Sequence, residues 1–237
     1  MTATLAPSST LGAIATSLPA AIPVFEELGL DYCCGGTATL AEAATRAGLD
    51  PEAVLERLRG LERRPEDRDW SQAPLPELLD HILATHHDYL KQTLPALWDM
   101  AGKVVHAHGE HHPELARIRQ VCGALFQELD LHLQKEEQIL FPMIRSLAGG
   151  SAEPEAGGCP SGPIGPMQVM EAEHENAGRA LSELRRLSRD YELPEDACTT
   201  WRGLWAGLQE LEGDLHRHIH LENNVLHPRV RALVGAG

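Results

Sequence analysis

The chain has 237 residues, 43% hydrophobic but only 4% aromatic, with a formal net charge of −15. That length suffices for a real core in one or two domains, and a Leu/Ala-rich, aromatic-poor composition favours an all-α fold. The charge argues against a nucleic-acid partner, and no apolar run approaches the roughly 20 residues that a membrane span needs.

The five cysteines, odd in number and without framework spacing, argue against structural disulfides. The first residues lack the basic start and apolar core of a signal peptide, so the chain reads as cytoplasmic.

Residues 1–8 read as a loose leader. Two short helices follow, Leu11–Leu18 and Pro19–Leu28, the second closed by Gly29 as its C′ residue. The turn Leu30-Asp31-Tyr32-Cys33-Cys34-Gly35-Gly36 resists a helical path. Its adjacent thiols suit metal binding, a redox relay or a vicinal disulfide; the plainer alternative is two small hydrophobes beside a turn. Further helices are expected at about 39–47 and 51–62, the latter opened by Asp50 as N-cap and Pro51 at the first helical position. Residues 1–64 thus form a small helical domain whose modest apolar content requires packing on the rest of the chain or on a second subunit, as in a homodimer. Glu62–Trp70, charged and carrying Pro65, reads as a linker.

Residues 71–237 hold four expected helices, at about 75–103, 113–147, 166–190 and 194–233. They are organised around His132-Leu-Gln-Lys-Glu136 and its near copy His218-Ile-His-Leu-Glu222, 86 positions later. On a helix, a His and a Glu four apart share one face about 6 Å apart along the axis. Leu125, Leu129, His132, Glu136, Ile139 and Met143 step alternately by four and three, as do Leu208, Leu211, Leu215, His218, Glu222 and Val225. Imidazole and carboxylate therefore take seam positions that would otherwise be apolar. Buried there, they need compensation. One copy would fit a hydrogen-bonded His–Glu pair, whereas two copies point to a metal.

Two further histidines extend the repeat. Leu83, His87, Leu90, Leu94 and Leu97 show the same steps as Met170, His174, Ala177, Leu181 and Leu184, so a His helix plus a His/Glu helix recurs at about 80–145 and 167–230. In an antiparallel bundle the turns fall midway between ligand sets, at 110.5, 154 and 197. Gly109–Pro113, Gly149–Pro166 and Leu193–Asp196 are turn-like segments at those places. Pro142 and Pro228, each six residues past its glutamate, are expected to bend or end their helices beyond the site.

Of the remaining candidates, Glu128 and Glu173 are placed to hydrogen-bond ligand imidazoles. His106, His108, His111 and His112 crowd a turn, with His108 kept as a reserve ligand. His81, His86, His216, His220 and His227 sit off the seam and read as surface residues, and Cys122, Cys159 and Cys198 as incidental thiols. Four His and two Glu exceed one tetrahedral zinc site. They suit two ions bridged by both carboxylates and a solvent-derived oxo or hydroxo group, and nitrogen–oxygen ligation favours iron or manganese.

The segments Asp31-Tyr-Cys-Cys-Gly-Gly36, Lys135-Glu-Glu-Gln-Ile-Leu-Phe-Pro142, Met170-Glu-Ala-Glu-His174 and His220-Leu-Glu-Asn-Asn-Val-Leu226 resemble those of the iron–sulfur cluster repair di-iron proteins, the repair-of-iron-centres family, and the likeness runs over nearly the whole chain. The resemblance implies a hemerythrin-like antiparallel four-helix bundle behind a small Cys-Cys domain. It implies a non-haem di-iron centre on His87, His132, Glu136, His174, His218 and Glu222, with Cys33 and Cys34 as the family's cysteine pair. His227 stands where the family commonly has phenylalanine, which makes that end of the last helix more polar. The implied role is restoring iron–sulfur clusters damaged by nitric oxide or peroxide, by supplying iron to the damaged proteins rather than by enzymatic turnover. Two rivals are carried beside it: reduction of nitric oxide to nitrous oxide, and a dioxygen-binding or sensing module.

Overall fold

The computed structural model describes residues 5–62, 68–149 and 162–235. They are helical, without a strand; one isolated bridge joins Thr10 and Thr39. Among them no helix is long and apolar enough to cross a membrane. The chain divides into two compact units, one from residues 1–78 and 216–237, the other from 79–215.

In the first unit, helices α1 (Leu11–Ser17), α2 (Ile22–Glu27), α3 (Leu40–Arg46) and α4 (Pro51–Arg59) are short, and α1, α3 and α4 carry side-chain caps. Thr10 accepts the Ala13 N–H, Thr39 and Glu42 form a reciprocal capping box, and Asp50 caps α4 ahead of Pro51. Gly29 ends the α2 region at φ 64°, a left-handed conformation natural to glycine. The core of this unit includes Leu11, Ile14, Phe25, Tyr32, Leu40, Leu55 and, from residues 216–235, Ile219.

The second unit is a four-helix bundle. Helix α5 (Leu75–Ile82) runs through a wider π-helical turn at Leu83–His87 into α6 (Asp88–His108); α7 (Glu114–Lys135) runs through Glu136–Leu140 into α8 (Phe141–Ala148). Then come α9 (Ile164–Leu187) and α10 (Thr199–His220); the end of α10 from His216, a third π turn at Leu221–Leu226 and α11 (His227–Gly235) belong to the first unit. Leucines 90, 97, 125, 181, 204 and 211 pack in its core with Trp201.

The π turns are a correction to the expected pattern. Phe141 and His227, each just before a proline, donate their N–H five residues back, to the carbonyls of Glu136 and Glu222. Rather than ending there, the helices widen by one residue and continue as α8 and α11. The inserted residue rotates the seam: Ile139, expected inward, is 48% exposed, while Leu140 and Ile144 are buried. The turn at Gly109–Pro113 lies between α6 and α7 as expected, and most of Gly149–Pro166 lies outside the described residues.

Helix α10 begins at Thr199 instead of 194, after a turn in which the Ala197 N–H donates to the Pro194 carbonyl at 3.1 Å; ahead of it Arg189, Asp190 and Tyr191 are all left-handed, with φ of 51°, 60° and 59°. Such backbone costs about 1–2 kcal/mol per non-glycine residue. Side chains hold it. The Tyr191 N–H donates to Ser188 Oγ at 3.0 Å and its hydroxyl to Glu212 at 3.1 Å, while Arg185 grips both Glu212 oxygens at 3.0 Å.

Candidate metal centre

His87, His132, Glu136 and His174 are all buried in the second unit. The two oxygens of Glu136 are divided between two rings: Oε2 lies 3.3 Å from His87 Nε2, and Oε1 lies 3.3 Å from His132 Nε2. His174 Nε2 is 3.1 Å from His132 Nε2, and the ligand atoms of His132, Glu136 and His174 all fall within 4.8 Å of one another. Phe141 stacks on His87 with centroids 5.5 Å apart and walls that side with apolar surface. In the first unit, His218 Nε2 and Glu222 Oε1 approach to 3.3 Å, and both residues are buried.

The far nitrogens of two rings decide what the near ones can do. His87 Nδ1 is 2.8 Å from Glu137 Oε1 and His132 Nδ1 is 2.9 Å from Glu173 Oε2. An ionised carboxylate only accepts, so each Nδ1 carries the proton and a neutral ring keeps a bare lone pair at Nε2. That lone pair faces a Glu136 oxygen, also an acceptor. Acceptor facing acceptor in a buried site calls for a cation between them, which a simple His–Glu hydrogen bond would not require. Burial opposes ionisation of Glu137 and Glu173, but hydrogen bonds from Lys91 and His87 to the first, and from Lys135 and His132 to the second, hold both pKa values below the usual carboxylate value. The donors are imidazole and carboxylate without thiolate, a set that suits iron.

Other expectations fare unevenly. Glu173 takes the supporting role foreseen for it, whereas Glu128 is exposed. Glu137 was missed; it follows Glu136 directly but pairs with His87, 50 residues back, a separation no local pattern reveals. His86, His220 and His227, expected at the surface, are buried. His86 Nδ1 pairs with Asp214 at 2.9 Å. His220 lies on Tyr32 with centroids 5.5 Å apart, and burial pushes its pKa down to about 4. His108 lies 5.0 Å from the Trp201 ring, at the end of α6, about 30 Å of helix from His87, and so is no ligand.

Comparison with known proteins decides the kinship. Residues 78–230 match the hemerythrin HHE cation-binding domain, and residues 7–62 match the domain of unknown function DUF542. The chain is 41% identical over 222 residues to the iron-sulfur cluster repair protein YtfE of Citrobacter koseri, covering 94% of this chain and 96% of that one. Identity and coverage are the same for proteins of that name from Escherichia coli O17:K52:H18 and Shigella boydii serotype 4. The chain belongs to the iron–sulfur cluster repair di-iron family.

In this repair-family chain the cysteine turn is ordered by one carboxylate. Asp31 Oδ1 accepts the backbone N–H of Cys33 at 3.2 Å and of Cys34 at 2.9 Å, and lies 3.3 Å from Cys33 Sγ. The sulfurs are 3.9 Å apart, well beyond a disulfide bond, so the vicinal disulfide is not formed. From the third π turn, Asn224 Nδ2 donates to the carbonyls of Tyr32 and Cys33 at 3.3 and 3.0 Å. Cys122 is buried, Cys198 is partly exposed ahead of α10, and Cys159 lies outside the described residues.

Proposed function

We propose that this chain repairs iron–sulfur clusters, and that His87, His132, Glu136, His174, His218 and Glu222 would hold two iron ions. The observation that carries the reading is Glu136, with one oxygen 3.3 Å from His87 and the other 3.3 Å from His132. A carboxylate so divided is suited to two ions, each bound to a different imidazole. His218 and Glu222 occupy the matching places of the internal repeat, 86 residues on. Relatives covering 94% of the chain carry the name of iron-sulfur cluster repair protein.

Bound iron supplies redox chemistry and, on this reading, the cargo itself. Imidazole and carboxylate hold ferrous iron near the weak end of the divalent series, which suits release. The protein's own residues orient and shield: Glu137 and Glu173 fix two imidazoles, and the apolar seam excludes water. Residues 71–237 then act as the iron-holding domain, and residues 1–64 present Cys33 and Cys34 for a redox or metal-transfer step. The work is that of a cytoplasmic accessory protein, not an enzyme; its partners are proteins whose clusters nitric oxide or peroxide has damaged.

The test is to measure iron in the purified full chain and then mix it with a client protein whose [4Fe–4S] cluster nitric oxide has destroyed. About two irons per chain and recovery of the client cluster are expected. Nitrous oxide release without iron transfer would replace this reading with a reductase, and dioxygen binding without transfer would replace it with a carrier.

A further inference from the structure

We propose that Asp31, Cys33 and Cys34 form a metal site of their own, a three-donor, solvent-facing seat for one thiophilic divalent cation such as ferrous iron or zinc. The inference deepens the reading of the cysteine pair as a metal-handling element and rests on it.

Distance is the first argument. Two thiolates on a tetrahedral ion at about 2.3 Å stand roughly 3.8 Å apart, and a carboxylate oxygen on the same ion stands roughly 3.6 Å from either sulfur. The observed separations are 3.9 Å between the sulfurs and 3.3 Å between Cys33 Sγ and Asp31 Oδ1, with all three ligand atoms mutually within 4.8 Å. An ion therefore fits with small side-chain adjustments. Binding would release the two thiol protons to solvent.

The second argument is that the turn is built to keep this arrangement. The Asp31 carboxylate binds both cysteine N–H groups, so the three donors share one rigid turn. A Cβ at Gly35 would lie 3.0 Å from both the backbone carbonyl and Oδ2 of Asp31, so glycine there keeps the turn close to the Asp31 carboxylate without a clash. Asn224 holds the turn from behind through two carbonyls. Preorganisation of this kind is what a binding site requires and an incidental pair of thiols does not.

The third argument concerns access. Cys33 is buried, Cys34 is partly exposed and Asp31 is exposed, so one side faces the protein and the other faces water. Three protein donors leave a fourth position open. A site of this form exchanges its ion with an incoming ligand; it is a place of transit and not of storage.

Cobalt(II) is the probe, because thiolate-to-cobalt charge transfer gives a near-ultraviolet band that a nitrogen–oxygen centre does not produce. Metal-free full-length protein should show the band and bind one cobalt with it. The band should persist in a Glu136→Leu, Glu222→Leu variant and vanish in Cys33→Ser, Cys34→Ser. Asp31→Asn, which keeps both thiols, should weaken the cobalt affinity read from the band at least tenfold. No band in the wild-type protein, or a band that survives loss of Cys33 and Cys34 but disappears when Cys122, Cys159 and Cys198 are serine, would overturn the site. If cobalt shows no thiolate band while the bundle still holds iron and repairs the client, this inference falls alone. If the bundle holds no iron, the reading under Proposed function falls, whatever the band shows.

Discussion

Glu137 Oε1 lies 2.8 Å from His87 Nδ1, while the next carboxylate back along the chain, Glu136, lies 3.3 Å from the opposite nitrogen of the same ring. Adjacent glutamates thus face the two sides of one imidazole. The outer one fixes the tautomer and orientation of His87, and its ionised form makes the ring a better donor. Glu173 does the same for His132 at 2.9 Å. Glu137→Gln keeps an acceptor at that place but removes the charge, and Glu173→Gln is its counterpart. Each should lower metal affinity by roughly 10- to 100-fold, read by competition with a chelator, with the helical circular dichroism unchanged. Unchanged affinity in both variants would mean that the two hydrogen bonds are incidental.

A second expectation follows from the burial of Glu136 and Glu222 at 0% exposure. Replacing either by leucine removes a carboxylate from an apolar surrounding, and a well-packed apolar side chain is often neutral or stabilising there. Glu136→Leu and Glu222→Leu should each lose most of the iron yet melt no lower than the metal-free parent. Full iron retention in both would refute their role as ligands.

The repeat made the site legible because an imidazole and a carboxylate on a seam interrupt an otherwise regular alternation. His87, His132, Glu136, His174, His218 and Glu222 all stand out that way, and all six are buried. The short helices of residues 10–59 were legible too, with Asp50 read as a cap; Thr10 and Thr39 cap α1 and α3 as well, a role not read from the sequence. The π turns were not, because a widened turn changes no residue type; it shifted Ile139 out and Leu140 in without altering the composition of the helix. Nor were the burial of His86 and the left-handed turn at Arg189–Tyr191, which depend on Asp214 and Glu212, residues 128 and 21 positions away from His86 and Tyr191.

The described thiols should separate by reactivity. The N–H of Trp201 and then the side chain of His108 hold the Cys198 thiol below its ordinary pKa, whereas burial pushes Cys122 up to about 12. Thiolate is the reacting form. Iodoacetamide near neutral pH should therefore alkylate Cys198 well ahead of Cys122, which should react only when the protein is unfolded. Peptide mass mapping over a time course reads the order. His108→Ala should raise the Cys198 pKa and slow its labelling; faster labelling of Cys122 than of Cys198 would contradict both assignments.

Asn224 is seated between two glycines, and they should fail differently when filled. A Cβ at Gly12 would meet Asn224 Oδ1 at 2.3 Å and Cγ at 2.7 Å, with the carbonyl of Gly36 at 3.1 Å. A Cβ at Gly36 would meet the same Oδ1 at 2.4 Å and also the backbone carbonyl of Tyr32 at 2.7 Å. A side chain can move aside, but the Tyr32 carbonyl belongs to the cysteine turn and cannot move alone. Overpacking of this kind costs about 1–3 kcal/mol, and expelling Asn224 also breaks its two hydrogen bonds to the turn. Gly12→Ala and Gly36→Ala should both lower the denaturant midpoint. In the Asn224→Ala background the Gly12→Ala penalty should largely disappear, while most of the Gly36→Ala penalty should remain because the backbone clash is still present. Equal rescue of the two would show that the Tyr32 carbonyl yields easily and that Asn224 alone sets the tightness of the turn.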